Sequence, residues 1–163
     1  QMDQLIDALK NCPKLKSLDI SDNYIKSESM EHLIALLQTC NELRVLKIGD
    51  CNIEEKDTKK FVKFLAAVED KKLEVFTYNY NDIDDVNNIV EALEGYKSLK
   101  VFELKGLGLD EDEIVELKEK LPNVECTFES EDEDEEEAKV VDKVADKQAK
   151  IDQLADEFTH LTI

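Results

Sequence analysis

The chain has 163 residues, and its 40 Asp and Glu against 21 Lys and Arg leave a net charge of −19. That balance argues against nucleic acid or an anionic membrane surface as a partner, since both are negative, and suits a partner with a basic patch. With 2 Pro and 4 Gly the collagen-like and Pro/Gly-rich classes are excluded, no apolar run approaches the roughly 20 residues of a membrane span, and no leader opens the sequence, so a soluble, cytoplasmic protein is expected.

In chain order, Leu5, Ile6 and Leu9 predict a helix over 2–11. A motif then occurs four times. Leu15, Leu18, Ile20 and Asn23 mark the first copy, and Leu43, Leu46, Ile48 and Cys51 the second. Leu73, Phe76, Tyr78 and Asn81 mark the third, and Leu99, Phe102, Leu104 and Leu107 the fourth. The first positions lie 28, 30 and 26 residues apart, the spacing of a long leucine-rich repeat, L-x-x-L-x-L-x-x-N/C. Alternation within each copy predicts a strand with one buried side. Between copies run helical stripes: Met30, Leu33, Ile34 and Leu37; Phe61, Phe64, Leu65 and Val68; Val86, Ile89, Val90 and Leu93; then Ile114, Leu117 and Leu121. Val124, Cys126 and Phe128 alternate as a short last strand. The expected fold is therefore α/β: a leucine-rich-repeat solenoid of ribonuclease-inhibitor type over residues 1–128.

Beyond it, eight of the nine residues Glu129 to Glu137 are acidic, a self-repelling linker over 129–137. Residues 138–163 regain helical spacing at Val140, Val144, Ile151, Leu154, Phe158 and Leu161, a C-terminal amphipathic helix.

Chemistry that needs converging side chains is hard to find. Cys12, Cys40, Cys51 and Cys126 form no close pair, and His32 and His160 are far apart, so neither a metal site nor a disulfide framework is expected. Cys51 falls where a repeat places an inward Asn, which makes it a packing thiol. Gly106 and Gly108 lack the third glycine and the lysine of a phosphate loop, so a turn between strand and helix is expected. Asp110 to Glu113 suit a helix start better than a calcium loop. Arg44 could be an arginine finger, but a solvated strand arginine explains it as well. No cofactor and no small-molecule substrate is expected.

The outward side of the strands is the default contact face of such an array. Lys16, Asp19, Arg44, Lys47, Glu74, Thr77, Lys100, Glu103 and Lys105 are the candidates there, and their mixed charges suit a protein partner. Glu131, Asp132, Glu133 and Asp134 in the acidic run are further candidates, by attraction to a basic patch.

Three features together resemble one family, the Ran GTPase-activating proteins. They are the long repeat, the stretch from Phe102 to Glu113 leading into the acidic run, and the ending Ile151, Asp152, Gln153, Leu154, Ala155, Asp156, Glu157 and Phe158 closing at Ile163. The resemblance implies the C-terminal part of a GTPase activator for the small GTPase Ran in nucleocytoplasmic transport, with Ran's binding proteins as further partners. It implies contact between proteins and no active site of its own. No catalytic residue is carried over, because the family acts through repeats without counterparts here. The alternative is a non-catalytic interaction protein whose acidic tail binds a basic protein.

Overall fold

The computed structural model describes residues 2–70 and 72–130. Its elements alternate: α1 (Met2–Leu9), β1 (Ser17–Asp19), α2 (Ser27–Leu37), β2 (Val45–Lys47), α3 (Glu55–Ala67), β3 (Val75–Thr77), α4 (Val86–Glu94), β4 (Val101–Leu109), α5 (Glu111–Lys120) and β5 (Glu125–Ser130). The strands form one sheet in the order β1-β2-β3-β4-β5. β1 to β4 run parallel, with Leu18, Leu46, Phe76 and Phe102 in register. Parallel neighbours need a crossover, and a helix supplies each one. Successive helices pack on one another.

The core lies where the motif and the stripes place it. Leu46, Phe76, Phe102 and Leu104 from the strands and Ile48 and Tyr78 just after β2 and β3, with Met30, Leu33, Phe61, Leu65, Ile89, Val90 and Leu117 from the helices, are almost fully buried. Phe61 on α3 stacks on Tyr78, ring centroids 5.9 Å apart, and Phe76 stacks on its register partner Phe102 at 5.8 Å. The buried Tyr78 hydroxyl lies 2.8 Å from Thr58 Oγ1, which satisfies its polar end. Asp110 and Glu113 form a capping box at the start of α5, each side chain accepting the other's backbone N–H.

The leucine-rich-repeat solenoid with acidic linker and closing helix is corrected by this arrangement. The described residues make a small α/β domain, one five-stranded sheet alternating with five helices. The motif specifies a single strand, turn and helix, and any sequential parallel sheet is built of such units. The units here are uneven: three strands of 3 residues precede one of 9 and one of 6. Gly106 and Gly108 lie inside β4, both at positive φ, where a turn is expected. Glu129 belongs to β5 and is buried, although composition places it in the linker. The rest of that linker beyond Ser130, and the helix of 138–163, lie outside the described residues.

Candidate protein-contact face

Alternation turns the other side of each strand outward, away from the helices. Backbone pairing sets these outward residues in rows that cross the sheet. Ser17, Val45, Val75 and Val101 form one row, and Asp19, Lys47, Thr77 and Glu103 the next. All three valines are half-buried. At the strand entrances a third row is made by Lys16, Arg44, Glu74, Lys100 and Glu125, in which each backbone N–H from Arg44 onward donates to the carbonyl of the preceding member of the row, at 2.7–2.8 Å.

The candidate residues are therefore brought together, but in different settings. Lys16, Asp19 and Lys100 are exposed, and Arg44, Lys47, Glu74, Glu103 and Lys105 half-buried. Thr77, expected on the open face, is buried at 6% exposure between the flanking strands. Arg44 stands at the entrance to β2, on the border of the face, with Nη1 3.5 Å from the Lys72 carbonyl oxygen. Lys100 donates to Glu74 at 2.6 Å. That bond and the charges of Lys100 and Arg44 hold the Glu74 carboxyl below its usual range. Among the described residues Lys16, Lys47 and Lys105 form no ion pair within 4 Å. Glu131, Asp132, Glu133 and Asp134 lie outside the described residues.

The sequence reading missed the valine row. Its signal was present, since Val45, Val75 and Val101 occupy the same place in three consecutive copies of the motif.

Behind the face the expected ladder forms. Asn23 Nδ2 donates to the Ile20 carbonyl at 3.0 Å, Cys51 Sγ to the same carbonyl at 3.2 Å, and Asn81 Nδ2 to the Ile48 carbonyl at 2.8 Å. Asn81 Oδ1 accepts from the N–H groups of Cys51 and Ile53. Burial pushes the Cys51 thiol up to about 11, the wrong direction for a nucleophile. Cys12 and Cys40 hold equivalent turns by backbone bonding; Cys40 is buried while Cys12 is exposed.

Among the described residues no group of His, Cys, Asp and Glu could hold a metal ion. An apolar cleft between Leu37, Leu43, Phe64 and Tyr96 has about 50 Å³, well below the roughly 300 Å³ of a small-molecule site. A larger groove of about 410 Å³ at Tyr24 to Glu28, Asn52, Glu54 and Asp57 is open and lined mainly by polar side chains. No described helix is long and apolar enough to cross a membrane.

No family model matches the chain, and no curated protein matches it. Among solved structures the chain is similar to leiomodin-1 actin-binding site 2, with a TM-score of 0.60 and 14% identity over 96% of each chain. At that identity the likeness concerns the fold, and it supports the corrected class, an α/β domain of strands alternating with helices.

Proposed function

We propose that this chain is a protein-contact domain for the small GTPase Ran, acting in the cytoplasm in nucleocytoplasmic transport and holding no reaction centre of its own. The observation that carries the contact reading is the outward face, where a valine row is bordered by charged rows of both signs. Apolar centre and polar border together are the make-up of a protein interface. The order of apolar strand, acidic run and closing Leu-Ala-Asp segment supports Ran as the partner.

Titration calorimetry with GTP-loaded and GDP-loaded Ran tests the reading, followed by hydrolysis of bound GTP. Saturable binding weakened by Lys47→Glu is expected. Absence of binding to either form overturns Ran as the partner. A second reading, an actin contact, is favoured by the fold likeness to leiomodin-1 actin-binding site 2, and co-sedimentation with filaments separates it from the first.

A further inference from the structure

The outward face carries more detail than a general contact reading uses. Neighbouring strands lie about 4.8 Å apart, so Val45, Val75 and Val101, aligned by backbone pairing, form an apolar track about 10 Å long that runs across the strands. An occupant must repeat apolar groups at nearly that interval. Residues on one side of an extended segment recur every 6.6 Å or so, a poor match. Successive turns of an α-helix recur about every 5.4 Å, a close one. An extended segment lying across the strands would also find no backbone partners, whereas a helix satisfies its own.

Charge along the track is polarised. Lys16, Arg44 and Lys47 border its β1–β2 end against Asp19, the acid that these rows carry on β1, whose carboxylate accepts the Ser21 N–H at 3.1 Å. At the β4–β5 end stand Glu103 and Glu125, while Lys100 is paired to Glu74, leaving Lys105 as the opposing cation. A cation-rich end is notable in a chain with 40 acids against 21 bases.

We propose that this face binds an amphipathic helix of a partner protein, laid across the strands with its apolar side on Val45, Val75 and Val101, its acidic end over Lys16, Arg44 and Lys47, and its basic end over Glu103 and Glu125. This rests on the contact reading above and specifies the element recognised.

The test uses the full chain and two dye-labelled synthetic helical peptides with the same leucine stripe. One carries Glu around the leucines of its first half and Lys around those of its second; the other has the same charges evenly interleaved. Anisotropy titration is expected to show the polarised peptide binding about tenfold tighter. Lys16→Glu with Lys47→Glu removes that preference, Val75→Ser weakens both peptides, and circular dichroism confirms that the variants are folded. Methyl shifts on binding should centre on Val45, Val75 and Val101. Equal affinity for the two peptides, no response to the charge reversal, or shifts confined to the helices would each overturn the proposal. Ran is absent from the assay, so its failure and a failure to bind Ran are separate results.

Discussion

The hydroxyl of Tyr80, in the turn after β3, donates to the carboxylate of Glu129 on β5, with Oε2 at 3.1 Å and Oε1 at 3.3 Å. The same Oε2 accepts the Gly106 N–H at 3.1 Å, so one buried carboxylate joins segments 49 and 23 residues away. Glu129→Ala removes both of these bonds and should cost about 1–3 kcal/mol, against about 1 kcal/mol for Tyr80→Phe, which removes one. Urea unfolding of the two variants measures the difference.

Gly106 lies under the same ring. A Cβ there would meet Tyr80 Cδ1 at 2.4 Å, and φ is +84°. Gly106→Ala therefore combines a clash with left-handed strain and should destabilise by roughly 1–3 kcal/mol. Combining it with Tyr80→Ala should recover the clash but not the strain, giving a non-additive cycle.

The Cys51 thiol gives an alkaline signature. Its proton is held more tightly in the folded chain than the ordinary value of 9.0, up to about 11. The native state then binds more protons than the unfolded one, so this contribution is complete below pH 9 and is lost as pH rises towards 11. Cys51→Ser keeps a donor for the Ile20 carbonyl and should flatten the stability profile between those values in denaturant titrations.

Glu74 behaves in the opposite sense. Held below its ordinary 4.5 by Lys100, it contributes stability above that range and loses it as the solution is acidified. In Lys100→Gln the Glu74 carboxyl should titrate at higher pH, read from carboxyl carbon shifts.

Asp57, on the first turn of α3, reaches across to α2, accepting from Ser27 Oγ at 2.6 Å. Its side chain is 3% exposed, and Oδ1 has only an ion pair, to Lys60 at 3.3 Å. Asp57→Ala strands the Ser27 hydroxyl and should cost about 1–3 kcal/mol. Asp57→Asn, which retains an acceptor, should cost less in thermal unfolding.

What the sequence made legible is what repeats locally. Leu18, Leu46, Phe76 and Phe102 announce strands and their inward side, and Cys51 announces the ladder, because each follows from spacing within one unit. Composition hides contacts between distant segments: Glu129 reads as one more solvated acid until Tyr80 and Gly106 meet it. Arg44 reads as a free strand residue, yet it stands just before β2 with its guanidinium 3.5 Å from the Lys72 carbonyl oxygen. Thr77 alternates outward, but its neighbours across the sheet cover it. The class of the whole went wrong because five strands and their order were legible while their unequal lengths were not, 3 residues in β1 to β3 against 9 in β4 and 6 in β5.

The aromatic rings are unevenly shared. Phe61, Phe76, Tyr78, Phe102 and Phe128 form a connected series behind β3 to β5, whereas Leu18, Ile20, Leu46 and Ile48 behind β1 and β2 are aliphatic. Ring pairs contribute about 0.5–1.5 kcal/mol each beyond their area, so local opening should be graded along the sheet. Deuterium should enter the amides of β1 first and those of β3 and β4 last, and the near-ultraviolet signal should report mainly the late-melting half, since the β1 side offers only the exposed Tyr24 among the described residues.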